Sequence, residues 1–141
     1  MPLLDDNTRE LVAAELAGLE NPVKLVMFTQ EFECQYCGET RHLCEEIAEL
    51  SDQISVEVYD FVADKDKVDE YGIDKVPAIA VVGAKDYGVR LYGIPSGYEF
   101  AALLNDVKTV SAGEVELMPE TTAFLEGLKE PLHIQVYVTP T

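Results

Sequence analysis

The feature that most constrains the fold is a short apolar run that leads into a pair of cysteines. Residues 23–29 read VKLVMFT, and such a run is typical of a central strand covered on both faces. The loop QEFE follows, and Cys34 and Cys37 stand three positions apart where a helical spacing of apolar residues begins. A thiol pair at a strand–loop–helix junction indicates a redox couple, part of a metal site, or two neighbouring buried cysteines.

The remaining periodicities predict alternating helices and strands. We predict helices over residues 5–19, 35–50, 64–72 and 96–110, and strands over 54–61, 78–82 and 88–93. Because strands joined through helices pair in parallel, we expect parallel pairing with antiparallel edges added by the final hairpin. The order predicts an α/β fold with a central mixed four-stranded sheet, flanking helices and an extra N-terminal helix.

The end of the chain repeats part of its beginning. Residues 124–141 match the pattern of residues 15–30, including the Gly-Leu pair, the proline and the apolar run that follows. Such self-similarity predicts a second copy of the same unit. We therefore expect residues 1–112 to form a domain that contains the cysteine pair. We expect residues 113–141 to form a linker and the first helix and strand of an incomplete second unit.

A second thiol pair in this repeat would begin next to Thr141, the last residue of the sequence. Truncation explains this position, and so does a UGA codon that is read as a stop where the organism inserts selenocysteine. The codon after Thr141 distinguishes the two explanations. Without the rest of its unit, a strand over residues 132–138 would be exposed, and an exposed edge favours a homodimer or an extension of the chain's own sheet.

Charge and composition restrict the partners. Acidic residues outnumber basic residues by 27 to 10, and the net charge of −17 opposes binding to nucleic acid or anionic membranes. No apolar run approaches the ~18 residues of a membrane span, and the N-terminus resembles neither a secretory signal nor a transit peptide. We expect a cytoplasmic protein, in which three cysteines indicate metal or redox chemistry rather than a disulfide framework.

The helical spacing gives the two thiols different tasks. A sulfur at the start of a helix lies near unpaired backbone N–H groups and the positive end of the helix dipole, which favour the thiolate. Cys34 is therefore predicted to attack a disulfide. Cys37 lies one turn later on the inward face, where it can attack the resulting mixed disulfide and release the reduced substrate. This cycle requires no metal and no cofactor.

Two other interpretations of the cysteines stay open. Cys34, Cys37, Cys44 and His42 carry the right atoms for zinc, but His42 is predicted to point away from the face that holds Cys37 and Cys44. The cysteines also fit small core residues, Cys44 above all.

Acidic side chains near the pair act against the helix dipole. The group consists of Glu31, Glu33, Glu39, Glu45 and Glu46, with Arg41 in opposition. Like charge disfavours a thiolate, although a solvated surface explains such glutamates equally well.

These motifs resemble the thioredoxin superfamily over residues 22–110. The resemblance rests on ECQYC after the central strand, KVPAI before the third strand and YGIPSGYEF at the last helix. It implies a cis peptide bond between Val76 and Pro77 beside the thiols, and a Val76 backbone that pairs with an extended substrate strand. Tyr36 is similar to the aromatic residue of glutaredoxin-type motifs, which implies a third substrate-binding residue.

The extra helix, the CQYC motif and the repeat most closely resemble the N-terminal unit of the two-unit, glutaredoxin-like protein disulfide oxidoreductases. This resemblance implies an enzyme that exchanges disulfides with protein substrates and is reduced by a thioredoxin reductase-type donor. Glu33 stands where thioredoxin has a tryptophan, and Phe28 stands where it has a buried aspartate. The usual proton acceptor for Cys37 is therefore missing or replaced. The alternative function is a redox-inactive adaptor that docks partners beside Pro77.

Overall fold

The computed structural model describes residues 1–139. The secondary-structure elements are α1 (Asp6–Leu16), β1 (Val23–Thr29), α2 (Cys37–Glu49), β2 (Ile54–Asp60), α3 (Lys65–Tyr71), β3 (Ala78–Val82), β4 (Val89–Tyr92), α4 (Tyr98–Ala112) and α5 (Pro119–Glu126). This order confirms the predicted α/β fold with its extra N-terminal helix. In these 139 residues, no helix is both long and apolar enough to cross a membrane.

Strand β1 forms the centre of the sheet. The strand order is β2-β1-β3-β4, with β1 parallel to β2 and antiparallel to β3. Leu25, Val26, Met27 and Phe28 are all fully buried. Because successive side chains point to opposite faces of a strand, this run contributes to the cores on both faces. Each such side chain stabilises the fold by ~1.5–3 kcal/mol relative to an exposed one.

The expectation of parallel pairing is wrong for β3. This strand follows β2 through α3, yet it lies beside β1 and runs antiparallel to it. The register explains the direction, because Asp60 at the end of β2 pairs with Thr29 while Ala78 at the start of β3 pairs with Phe28. The connection through α3 thus begins and ends at the same end of the strands, whereas a connection between two parallel strands must return to the opposite end.

The helices cover the two faces of the sheet unequally. Apolar side chains from α1, α2 and α4 pack on one face around Leu25, Met27 and Ile79. The other face carries a smaller cluster, in which Val68 of α3 packs with Val26 and Phe28. Both faces of the sheet are therefore covered at the end of β1.

Glu46 ties the N-terminal segment to α2. Its side chain is 4% exposed, so the expectation of a solvated glutamate is wrong here. The carboxylate accepts hydrogen bonds from the backbone N–H groups of Leu3 and Leu4 and from Arg9, and it lies 3.3 Å from His42 Nε2. Burial raises the pKa of Glu46, but the two backbone bonds and the charges of His42 and Arg9 outweigh it and hold this pKa below its ordinary value.

The C-terminal part lies apart from both cores. Helix α5 forms within the predicted second unit, but it buries none of its residues. Residues 131–139 form neither helix nor strand, and residues 113–139 are exposed throughout. The strand expected over 132–138 is therefore not seen and does not extend the sheet, because a strand requires a neighbour for its backbone groups. Residue boundaries for a second unit, and a homodimer through this segment, stay predictions.

Replacing Glu46 by glutamine is expected to lower the free energy of unfolding at pH 7 by about 1–3 kcal/mol, because buried N–H donors and Arg9 lose a charged acceptor. A group with a lowered folded-state pKa contributes its stability above its unfolded pKa and loses it as the pH falls through the folded value. The difference between wild type and Glu46→Gln should therefore shrink as the pH is lowered, as measured by urea denaturation.

Glu49→Gln is the matched control, because Glu49 also accepts a hydrogen bond from Arg9 but its side chain is 66% exposed. We expect a change below about 0.5 kcal/mol for this variant. Equal losses in both variants at pH 7 would contradict the anchoring role of Glu46.

Candidate functional site

The cysteine pair lies at the end of the sheet where the central strand β1 ends and its neighbour β3 begins. Phe28 pairs with Ala78. When this register is continued by one residue, Pro77 lies opposite Thr29, the last residue of β1. The loop from Gln30 then carries the chain towards the cysteines. The Val76–Pro77 peptide bond is cis. Pro77 is buried and Val76 is half-buried, so the fold brings both predicted substrate-binding residues to the end that holds the thiols.

Cys34 and Cys37 are joined by a disulfide, with their Cα atoms 5.5 Å apart. Cys34 is half-buried, whereas Cys37 is 2% exposed. A reagent that approaches the surface thus reaches the sulfur of Cys34 before that of Cys37. The tasks of the two cysteines in disulfide exchange stay predictions.

The start of α2 holds the second cysteine in place. Tyr36 is the N-cap residue and Cys37 is the first helical residue, so Cys34 lies two residues before the cap. The carbonyl of Tyr36 accepts hydrogen bonds from both the backbone N–H and the side-chain hydroxyl of Thr40, at 2.9 and 2.7 Å. The Tyr36 side chain itself is 44% exposed, which leaves its ring open to a bound molecule.

A phenyl ring stands at the position where the resemblance implies a buried carboxylate. Phe28 is fully buried, and its ring centroid lies 5.8 Å from that of Tyr59 and 5.7 Å from that of Tyr71. A phenyl ring can neither accept nor donate the proton of a thiol. This end of the sheet therefore holds a cluster of aromatic rings, and Phe28 does not serve as the proton acceptor of a thiol.

The five neighbouring glutamates do not act as one group. Arg41 forms an ion pair with Glu45 at 2.8 Å, and Glu46 is turned towards the N-terminal segment. Glu31, Glu33 and Glu39 are exposed on the loop and the first turn of α2. Because exposed charges are screened by water and salt, these three act on Cys34 less strongly than buried charges would.

The third cysteine belongs to the core. Cys44 is fully buried in the larger cluster, and burial, with a smaller effect of Glu45, raises the pKa of its thiol to about 12. His42 lies beside Glu46 instead of the cysteines. Within residues 1–139, no three histidine, cysteine or acidic side chains are grouped in a way that could hold a metal ion.

Two features of the site were missed by the sequence reasoning. Phe32 lies two residues before Cys34 and is 74% exposed, although an aromatic residue in the polar loop QEFE was itself a signal for a contact residue. Gly93, with a φ of 85°, turns the end of β4 so that its N–H donates a hydrogen bond to the carbonyl of Pro77 at 2.9 Å. The loop that follows β4 is therefore attached to the cis-proline.

Comparison with known proteins gives consistent matches. The model of a family described as "Thioredoxin domain" matches residues 23–105. The "Probable Thioredoxin" of Methanothermobacter thermautotrophicus is 38% identical over 85 residues, which cover 60% of this chain and 94% of that protein.

Solved structures extend the similarity beyond the matched domain. The protein disulfide oxidoreductase of Aeropyrum pernix has a TM-score of 0.80 at 30% identity over 90% of this chain. The chain spans only 57% of the length of that protein. The N-terminal domain of alkylhydroperoxide reductase AhpF from Enterococcus faecalis has a TM-score of 0.75 at 24% identity, covering 85% of this chain and 58% of the other. This last similarity concerns the fold alone.

Alkylation should distinguish the three cysteines. After reduction with a phosphine, iodoacetamide is expected to modify Cys34 first, and to leave Cys44 unmodified at pH 8 because its pKa of about 12 keeps it protonated and its burial blocks access. Mass spectrometry of peptides at successive times measures the order of modification. A sample unfolded in about 6 M guanidinium is the control, because all three cysteines are accessible there. Modification of Cys44 in the folded protein at the rate of Cys34 would contradict this assignment.

Proposed function

Because the chain belongs to the thioredoxin domain family, we propose that it is a thiol–disulfide oxidoreductase that exchanges disulfides with proteins through Cys34 and Cys37. The single observation that carries this proposal is the asymmetric pair, in which an accessible Cys34 is bonded to a buried Cys37 at the start of α2. The cis Val76–Pro77 bond at the same end of the sheet supports it.

In the reducing direction, the thiolate of Cys34 attacks one sulfur of the substrate disulfide. A bond forms between Cys34 and that sulfur, the substrate bond breaks, and the departing substrate thiolate takes up a proton. Cys37 then loses its proton and attacks Cys34, which forms the Cys34–Cys37 disulfide and releases the second substrate thiol. The substrate gains two electrons from the protein and two protons, one from Cys37 and one from solvent, because Cys34 reacts as the thiolate. The same steps in reverse oxidise a dithiol.

Deprotonation of Cys37 is the step for which this chain departs from thioredoxin. Phe28 provides no proton acceptor, and Cys44 is a buried thiol with a pKa raised to about 12. We propose that the departing substrate thiolate or water takes the proton of Cys37. A thiolate that leaves at the surface is close to both cysteines at the moment when Cys37 must react.

The substrate is proposed to lie in extended form along Val76 and to contact the exposed residues Phe32 and Tyr36, which flank Cys34 in the sequence. Pairing through backbone groups makes few demands on substrate sequence, which suits an enzyme that acts on several proteins. Exposed aromatic residues add contact area at low cost in conformational entropy.

The reductant is proposed to be a thioredoxin reductase-type donor. The proteins that resemble this chain include one that is named as a protein disulfide oxidoreductase. The chain covers 57% of the length of that protein, and we propose disulfide exchange for this chain on the basis of its own cysteine pair. A cytoplasmic location stays a prediction.

Reduction of insulin by dithiothreitol tests the function. Wild type should accelerate the appearance of turbidity, whereas Cys34→Ser should fall to the rate of dithiothreitol alone because the attacking sulfur is lost. Reduced Cys37→Ser, mixed with insulin after dithiothreitol has been removed, should accumulate a mixed disulfide between Cys34 and the substrate, visible on a non-reducing gel, because the second attack is lost and no dithiothreitol is present to reduce the bond.

Cys44→Ala is the matched control, because it removes a thiol that lies in the core. It should retain at least about half of the wild-type rate if disulfide exchange depends on Cys34 and Cys37. Equal turbidity from wild type and Cys34→Ser would favour the redox-inactive adaptor.

A further inference from the structure

An apolar groove lies between the N-terminal segment, α2 and the loop that follows β4, and none of its lining residues takes part in the proposed reaction. Its walls are the N-terminal residues Leu3 and Leu4, the loop residues Ile94 and Pro95, and Leu43 of α2, and it encloses a volume of about 410 Å³. We call it the N-terminal groove. Its size falls in the range of about 300–1,000 Å³ that is usual for sites that bind small groups.

The N-terminal wall of the groove is held by hydrogen bonds to a buried carboxylate. The buried carboxylate of Glu46 accepts hydrogen bonds from the N–H groups of both Leu3 and Leu4, and the same carboxylate binds Arg9. A buried charge is stable only when such bonds offset its desolvation. The position of Leu3 and Leu4 is therefore defined by the fold, even though Leu3 is 45% exposed.

The other walls connect the groove to the disulfide. Gly93 donates a hydrogen bond to the carbonyl of Pro77, and Ile94 follows it directly in the chain. Leu43 lies six residues after Cys37 on α2, which corresponds to about 9 Å along a helix. An extended chain covers that distance in about three residues. The groove thus lies within a few substrate residues of the reacting sulfurs.

On this geometry, and resting on the proposed function, we infer that the N-terminal groove is a subsite for one large apolar side chain of the substrate, a few residues from its reacting cysteine. The groove is lined largely by aliphatic side chains, with hydroxyls at Thr8 and Ser96, so an aliphatic or aromatic side chain fits its chemistry. In a chain with a net charge of −17, this neutral surface selects by burial of apolar area and not by charge.

The described C-terminal segment does not line the N-terminal groove. Val138 instead borders a neighbouring depression that shares only Ser96 and Gly97 with it. The substrate chain is the occupant that we infer, because the loop that forms one wall at Ile94 is attached through Gly93 to the carbonyl of Pro77, beside which the substrate is proposed to lie.

Peptides with one cysteine test the subsite. Each peptide carries its cysteine as a disulfide with thionitrobenzoate, and a single leucine is moved through the positions on both sides of the cysteine in an otherwise serine and glycine sequence. Attack of reduced Cys34 on the peptide sulfur forms the Cys34–peptide disulfide and releases the coloured thionitrobenzoate anion. Leucine at one or two positions should raise the second-order rate constant at least about fivefold over serine, since burial of a leucine is worth roughly tenfold or more.

Leu3→Ser should reduce this gain to less than about half, while its rate with the small disulfide of thionitrobenzoate alone should stay within about twofold of wild type. Leu11→Ser is the matched control, because Leu11 is 60% exposed on α1 and is not part of the groove. It should keep the full gain.

A second measurement does not depend on thiol chemistry. Backbone amide signals of Ser96 and Gly97 should shift when a cysteine-free peptide with the preferred leucine position is added, and should not shift with the serine peptide. If these signals shift while no disulfide is reduced, the proposed function fails and the subsite stands. If small disulfides are reduced but leucine has no effect at any position, the subsite fails and the function stands.

Two further outcomes would overturn the inference by naming another occupant. A gain that appears only after deletion of residues 131–141 would assign the groove to the C-terminal segment. A dimer of the wild type that dissociates on Leu3→Ser, as measured by sedimentation, would assign it to a second copy of the chain.

Discussion

Burial of β1 on both faces is the constraint from which the position of the disulfide follows. A strand with four consecutive buried side chains needs a neighbour on each side and a helical layer on each face. β2 and β3 supply the neighbours, and α2 and α3 supply part of the layers. Since α2 must pack on the sheet directly after β1, the short loop between them is held at the end of the sheet. The cysteines occupy this loop and the first turn of α2, with the start of β3 beside them.

Local patterns carried most of this information. The bounds of β1 and β3 agree with the predicted ranges of 23–29 and 78–82, because buried strands of this kind have an unmistakable apolar composition. Cys37 faces inward as its helical spacing indicates. The direction of β3 could not be obtained in this way, since it depends on where α3 returns the chain and not on any residue within β3. The role of Glu46 was equally hidden, because its partners Leu3 and Leu4 are more than 40 residues away.

The site combines an exposed acidic surface with an aromatic interior. Glu31, Glu33 and Glu39 are exposed to solvent. Phe28, by contrast, packs with Tyr59 and Tyr71 near the end of β1. The phenyl ring at position 28 offers no proton acceptor to the thiols. Under the proposed function, the proton of Cys37 is therefore left to the departing substrate thiolate or to water.

The attachment of the N-terminus through Glu46 also bears on how the molecule can diversify. The carboxylate holds residues 3 and 4 by their main-chain N–H groups, so the attachment is indifferent to the side chains at those positions. Every amino acid except proline offers the same donor. The lining of the N-terminal groove can thus change at residue 3 without loss of this attachment, whereas Leu4 also packs against the larger core.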